Sequence, residues 1–496
     1  MKRLWIRRTA AVTAALLLLS ACGCGAEASD TETGKGGMKD TALDAKNPVT
    51  VTVWNYYNGD QLTAFEQLVE EFNQSVGIEK GIVVQSISQG DVNTLADALL
   101  DSVDGKAGAQ KCPNLAAIYS ETAYILDQSD RLVNLDMYFT EEEENEYVSA
   151  FLDEGRFNEG NELLLFPISK STEVFTANKT DWEAFAQATG ITLNKINTQE
   201  DLVAAAEAYY KWTDEQTPEV ADDGRALYGR DSLANYIYVG SKQLGHELFT
   251  VKEGRVTIDM DRDTFKTLWD NYYIPYIKGY FGAYARFRSE DAKTGKILAL
   301  TSSTSGAGYL PTQVTLSDDT THEIELYTAK TLPFADAQND AVVQQGASFC
   351  LVKSTEAEQE GAVEFLKWFT KSERNLEFSL NSGYSPVTVE ANDKANMEAA
   401  IADKEVSAVE RETQLIAADM FENDEPYATK PFKGSKEIRS FLENSLQDTC
   451  AKDRAAIESA IAAGTSREDA IASYCTEAYF DRWFTNISEQ VESLTK

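Results

Sequence analysis

Histidine is almost missing from this chain: 496 residues contain two, His246 and His322, far apart in sequence. Neither can join a second imidazole in a metal site or serve a Ser-His-Asp triad, and both read as surface residues. Cysteine is scarce as well, six in all with no Cys-x-x-Cys, which removes the usual zinc and dithiol redox motifs. Positive charge is the third shortage. Lys and Arg total 45 against 81 Asp and Glu, a formal net charge of −36. A field that negative excludes nucleic acid as a partner and disfavours broad contact with an anionic membrane. The apolar run at residues 10–19 is too short, and wrongly flanked, to span a bilayer.

That run belongs to something else. Lys2, Arg3, Arg7 and Arg8 precede it and small residues follow, the layout of an export signal over residues 1–21. Leu19-Ser20-Ala21-Cys22 resembles a bacterial lipobox, which implies that Cys22 is acylated and becomes the first residue of an extracytoplasmic protein tethered to the cell membrane. Residues 22–48 are rich in Gly, Thr, Asp, Lys and Ala and read as a flexible tether. Cys24 falls in that tether, and Cys112 and Cys350 are isolated. Cys450 and Cys475 lie on neighbouring helical stretches and either bridge a hairpin or stay reduced, according to habitat.

Such a length is more than one core usually holds and predicts two lobes. Residues 49–54 alternate apolar and polar β-formers, and Leu62, Phe65, Val69 and Phe72 mark a helix starting near Asp60. A second strand at 82–84, a helix at 92–103 and a strand at 115–119 complete a β-α-β-α-β order, hence a parallel sheet with right-handed crossovers. Residues 169–179 form a crossing into a second lobe. Thr198 with Asp201 and Thr355 with Glu358 have capping-box spacing. Further helices are expected at 232–244 and 261–278, with a hairpin at 248–258 between them. Asp259, Asp261 and Asp263 start like a calcium loop, but Thr264 stands where glycine is needed and Asp270 where glutamate is, so Asp261 reads as a helix cap and no metal site is expected. The division that follows is a first lobe at 49–168, mainly the second lobe with hinge crossings at 169–335, a return segment and hinge at 336–390, and C-terminal helices at 391–496.

Four pieces in order carry a family resemblance: Val-Thr-Val-Trp at Val51 to Trp54, Gly-Ala-Ser at Gly346 to Ser348, Glu-Phe-Leu-Lys-Trp-Phe-Thr at Glu364 to Thr370, and Ser-Gly-Tyr-Ser-Pro-Val at Ser382 to Val387. With them, nearly everything from Val49 onward resembles the extracellular solute-binding proteins of ABC importers, in the family serving sugars and polyols. Ser-Ser-Thr-Ser-Gly at Ser302 to Gly306 and the late Pro431 to Arg439 run are most similar to the glycerol 3-phosphate binding branch. The resemblance implies an α/β fold of the type II periplasmic-binding-protein kind, with two lobes and a hinge. It also implies a monomer that needs no cofactor, and membrane permease subunits as partners for a captured small solute.

In open parallel sheets ligands sit beyond the carboxyl ends of the strands. Trp54, Ser88, Ser120 and Glu121 fall there, Trp54 serving either as a sugar-stacking face or as lobe packing. Ser302 to Gly308 offers hydroxyls and backbone N–H groups suited to phosphate, or is simply a turn. Matched to the family pattern, Ser88, Ser120, Ser171, Ser305, Gly346 and Tyr384 take ligand-contact positions, and Lys433 stands in for a late basic group. Arg439 is expected on a helix surface. Where that branch has two tryptophans, this chain has Arg230-Asp231, which either serves a phosphate or clamps vicinal hydroxyls, or is a surface ion pair. The expected activity is capture of a sugar, oligosaccharide or polyol phosphate for import. The alternatives are a lipid-anchored glycoside hydrolase with paired carboxylates and a sensor receptor of the same fold.

Overall fold

The computed structural model describes residues 41–496 except Glu253, Asp403 and Glu405; the export signal, Cys22, Cys24 and most of the tether lie outside the described residues. Strands Val49–Asn55, Ile82–Ser88 and Leu115–Ile118 form the parallel heart of a first sheet, with Val49 opposite Ile82 and Val53 opposite Leu115. The crossover helices, Gly59–Gln74 and Val92–Val103, cover it on both faces, so both faces are apolar. Two more strands, Ser348–Leu351 and Phe166–Pro167, arrive from far along the chain; the first runs antiparallel to both of its neighbours.

The second sheet has the order Leu326–Lys330, Glu173–Asn178, Ala299–Ser303, Tyr228–Arg230, with only the last pair parallel. Its core is largely aromatic. Helices Gln199–Asp214, Leu233–Gln243 and Arg262–Ile277 bring Tyr209, Tyr236, Trp269, Tyr272 and Tyr273 into it. The last third of the chain is shared out. Ala417 and Phe421 of helix Ala408–Asn423 join the first core, whereas Ser435–Ala462 and Glu477–Leu494 pack Leu442, Leu446, Phe480 and Ile487 into the second.

Local signals formed as read. Thr198 and Asp201, and Thr355 and Glu358, make reciprocal capping boxes, and the Asp261 carboxylate accepts from the Thr264 N–H at 2.7 Å as a helix cap. His246 and His322 lie half-buried near the surface, each beside an aspartate. Residues 141–153 hold two short helices, Glu141–Glu144 and Ser149–Asp153, and a turn and loop lead from them to the two-residue strand Phe166–Pro167. Of the two alternatives for Cys450 and Cys475, the structure has free thiols: the first is buried in the second core, the second is exposed. No helix among the described residues is long and apolar enough to cross a membrane.

Trp54 is the plainest relocation. Only 1% exposed, its ring packs with Leu95, Leu99, Ala116 and Ile118 inside the first lobe, because a sheet covered on both faces buries alternate side chains on either side. Trp54→Ala is expected to cost about 3–5 kcal/mol in denaturant unfolding. A cost below about 1 kcal/mol would contradict this placement.

Candidate functional site

Three chain segments cross between the two sheets side by side. The first, residues 168–172, exchanges backbone hydrogen bonds with two other segments: Lys170 with Ser385, and Ser171 with Gln345 at 2.8 and 3.0 Å. The second contains Ala341–Val343, which pairs in parallel with Glu425–Tyr427 of the third. Gly346 allows the close approach. Its φ is +110°, and a Cβ there would lie 2.7 Å from the Ser169 carbonyl oxygen.

Charge is buried at this crossing. Lys170 is fully buried, and its Nζ donates to Glu154 Oε2 at 2.6 Å, Ser348 Oγ at 3.2 Å and the Gly346 carbonyl at 3.3 Å. All three ammonium N–H directions are thereby used. Gln344 Nε2 donates to the same Glu154 oxygen at 2.7 Å. On the second-lobe side Arg230 Nη2 donates to Glu173 Oε2 at 2.6 Å, and Asn235 Nδ2 donates to Glu173 Oε1 at 2.7 Å. Asn235 also reaches Gln345 and accepts from Arg439 Nη2 at 2.7 Å.

Beside the crossing lies a cleft of about 380 Å³, within the ~300–1,000 Å³ range of small-molecule sites. Tyr119, Ser120 and Glu121, following strand Leu115–Ile118, and Val92 and Asn93 of the preceding helix form the first-lobe wall. Asn235 and Tyr238 on one helix and Lys436, Arg439, Glu443 and Asn444 on the long helix form the facing wall. The floor is hinge: Glu154, Gln344, Gln345 and Tyr427. Glu443 caps the neighbouring helix of the same wall, its carboxylate accepting from the Leu233 and Ala234 N–H groups at 3.2 and 3.0 Å. The Arg439 guanidinium lies over the Tyr238 ring, 5.6 Å from its centroid. Burial raises the Tyr119 and Tyr238 hydroxyls above their ordinary pKa although Arg439 pulls the other way, so both are protonated at neutral pH. Glu121 and Lys436, on opposite walls, have no ion-pair partner among the described residues.

Of the residues singled out from sequence, Ser120 and Glu121 line this cleft. Ser171, Gly346, Ser305 and Tyr384 gather around the crossing next to it. Ser305 Oγ lies 2.9 Å from Ser303 Oγ, and the Ser305 backbone packs against Gly383. Tyr384 is nearly buried, its hydroxyl 3.4 Å from that of Tyr56. Ser88 ends its strand with an exposed side chain whose hydroxyl donates to the Tyr57 carbonyl. Residues 304–309 form a short 3₁₀ helix, with Thr304 Oγ1 accepting from the Thr172 N–H. Arg230 is tied to Glu173 rather than to Asp231, which accepts instead from the Arg288 N–H, and it lies beneath the cleft. Lys433 points away, its ammonium donating to the main-chain oxygen of Lys496. Arg439 corrects the opposite expectation: it faces the cleft, not a free helix surface. Asn235, Tyr238, Gln344 and Tyr427 were missed, since no local pattern distinguishes them from packing residues.

Two sheet-built lobes joined by crossing strands, with a polar, tyrosine-lined cleft beside the joint, define a solute receptor in architecture. Residues 67–405 match the family described as bacterial extracellular solute-binding protein, and the chain belongs to that family. Among solved structures it is similar to UgpB from Mycobacterium tuberculosis in complex with glycerophosphocholine (TM-score 0.64, 18% identity, 90% of this chain and 98% of that one). It is also similar to the cyclic α-maltosyl-1,6-maltose binding protein from Arthrobacter globiformis (0.63, 16%, 89% and 100%). A third is an ABC substrate-binding protein from Listeria monocytogenes in complex with cycloalternan (0.59, 14%, 90% and 99%). No curated protein gives a significant sequence match.

The buried pair at the joint predicts a non-additive cycle. Lys170→Met leaves Glu154 buried without its cation and should cost about 3–5 kcal/mol, much of it recovered in Lys170→Met/Glu154→Leu. Lys433→Ala, at an exposed position, should stay within about 0.5 kcal/mol. Additive losses in urea melts of Lys170→Met, Glu154→Leu and the double variant would count against the pairing.

Proposed function

We infer that this protein captures a neutral carbohydrate, an oligosaccharide in preference to a phosphate ester, and delivers it to permease subunits of an ABC importer while held outside the cytoplasm by acylated Cys22. One observation carries the ligand class: the cleft combines the Tyr119, Tyr238 and Tyr427 side chains with carboxylate, amide and guanidinium groups from both lobes and the hinge. Aromatic faces suit the C–H faces of sugar rings, and the polar groups suit their hydroxyls. The groups expected to hold a phosphate are engaged elsewhere, Arg230 with Glu173 and Lys433 with the main-chain oxygen of Lys496. The structural relatives that bind cyclic α-maltosyl-1,6-maltose and cycloalternan agree with this choice, while the glycerophosphocholine relative keeps the phosphodiester as the competing ligand.

Capture without turnover is the reading the carboxylates support. Hydrolysis needs two carboxyl groups free for acid and base or nucleophile roles. Glu154 is committed to Lys170 and Gln344, and Glu443 to a helix cap, which leaves Glu121. A solute that touches both walls stabilises the conformation in which they are close, so binding and lobe closure are one equilibrium.

Thermal-shift screening decides between the ligand classes, because a ligand specific for the native state raises Tm. Maltotriose and cyclic glucose tetrasaccharides are expected to raise it, with glycerol 3-phosphate and glycerophosphocholine without effect. Arg439→Ala should weaken the sugar about ten- to hundredfold, with the ligand-free Tm measured alongside to separate the loss of its brace on Asn235. A Tm rise with glycerophosphocholine alone would overturn the choice of ligand.

A further inference from the structure

Four consecutive exposed residues, Tyr284-Ala285-Arg286-Phe287, stand on the connection between helix Arg262–Ile277 and the short helix Arg288–Lys293 of the second lobe. This loop is braced from within. Its backbone wraps the buried Arg288 guanidinium, which bonds the fully buried Asp291 at 2.6 Å and the Gly282 and Ala285 carbonyls. Asp291 accepts from the Tyr284 N–H at 3.0 Å, Glu290 from the Phe287 N–H at 3.1 Å and Asp231 from the Arg288 N–H at 2.8 Å. So fixed, the loop holds the Tyr284 and Phe287 rings out in water, 52% and 49% exposed. The Arg286 guanidinium lies over the Phe287 ring, 5.1 Å from its centroid, and the Lys296 ammonium over Tyr284 at 5.5 Å.

The loop borders the interlobe cleft. Asp231, which holds it, directly precedes the helix start that Glu443 caps and that carries Asn235 and Tyr238 into the cleft wall. On the first lobe, Asp91 caps the helix whose Val92 and Asn93 line the facing wall. The Thr94 N–H and hydroxyl hold the Asp91 carboxyl below its usual range, and the Arg286 charge adds to this across the gap. None of residues 284–287 lines the cleft itself. They sit at its rim.

We propose that residues 284–287 dock the importer: Tyr284 and Phe287 pack against, and Arg286 pairs with, an acidic extracytoplasmic segment of the permease. This rests on the import reading above. Aromatic and arginine side chains presented by a rigid frame carry much of the binding at protein interfaces, because little freedom is lost in fixing them. Charge selects the partner. The exposed charged side chains of residues 286–296 are Arg286, Lys293 and Lys296 against Glu290, a basic patch on a chain of net charge −36. An anionic bilayer repels that chain as a whole, whereas a local acidic surface complements the patch. Position agrees with this choice, since a solute leaves through the mouth of the cleft and the surface receiving it meets the rim.

The test is uptake of radiolabelled maltotriose by cells of the source organism whose chromosomal copy carries Arg286→Glu, Phe287→Ser or the control Lys433→Ala, with calorimetric titration and melting of each purified protein. Both loop variants should bind maltotriose within about twofold of wild type, since neither side chain lines the cleft. Their uptake should fall at least about fivefold while the control keeps the wild-type rate. Suppressors that restore uptake to Arg286→Glu should change an Asp or Glu of a permease subunit to Lys, which a defect confined to the loop would not select. Uptake within about twofold of wild type in both variants would overturn the docking and leave the import reading intact. Should one loop variant lose its melting transition, the other decides. Flotation of the full chain carrying Cys22→Ser with phosphatidylglycerol vesicles tests the competing partner: binding that Arg286→Glu abolishes would assign the loop to the membrane and overturn the permease. If wild-type cells take up no maltotriose, the import reading fails and the docking falls with it.

Discussion

The joint depends on a single buried ammonium. Lys170 sits where the chain leaves the first sheet, out of contact with water, and its three N–H groups are spent on the Glu154 carboxylate and, from a second stretch, the Ser348 hydroxyl and the Gly346 carbonyl. Removing both charges from water costs several kcal/mol per ion, so the pair need not add to net stability. What it adds is direction. An apolar side chain there would tolerate sliding of the crossing segments, whereas an ammonium with three fixed acceptors holds residues 154, 346 and 348 at set positions. Gly346 belongs to the same constraint, since only a residue without a Cβ lets the second crossing come close enough for its carbonyl to be one of the three.

From that point a continuous polar line runs to the cleft. Glu154 passes from Lys170 to Gln344, and Gln345 beside it meets Asn235, which holds Glu173 on one side and Arg439 on the other. Arg230 neutralises Glu173 at the far end. Two buried ion pairs, one in each lobe, thus stand behind a cleft whose charged groups come from both. The −36 net charge of the sequence gives no hint of this, because the excess acid is spread over the surface while the joint and cleft are locally balanced.

The features that sequence disclosed were those set by short spacing or by period. Capping boxes depend on residues three apart, and the parallel sheet follows from the alternation of strand and helix patterns. The cleft could be foreseen only as far as a strand end could: Ser120 and Glu121 follow Leu115–Ile118 directly, so topology alone brings them there. Arg230 was misread because its partner Glu173 lies 57 residues away, and a lone Arg-Asp dipeptide looks the same in a clamp as in a buried pair. Trp54 was ambiguous for a different reason. On a sheet covered on both faces Val53 enters one core and Trp54 the other, so alternation does not single out an outward side chain. Arg439 shows the converse, a helix position whose exposure depends on what crosses in front of it. Its nearest polar partner, Asn235, is 204 residues distant.

How the walls are built bears on how they move. Glu443 fastens the long helix Ser435–Ala462 to the start of Leu233–Gln243, and Arg439 fastens it again through Asn235 and the Tyr238 ring. The second-lobe wall is therefore one cross-braced piece, and relative motion has to fall on the crossing segments. These pair through backbone hydrogen bonds between extended chains, and extended pairs twist without breaking. A rotation taken up there changes the distance from Glu121 to Lys436 while keeping Lys170 with its three acceptors, because the ammonium lies among the crossing segments and the two side chains stand on opposite walls. Placing the costly charge at the joint and the unpaired charges at the walls lets one set of contacts stay fixed while the other waits for a solute.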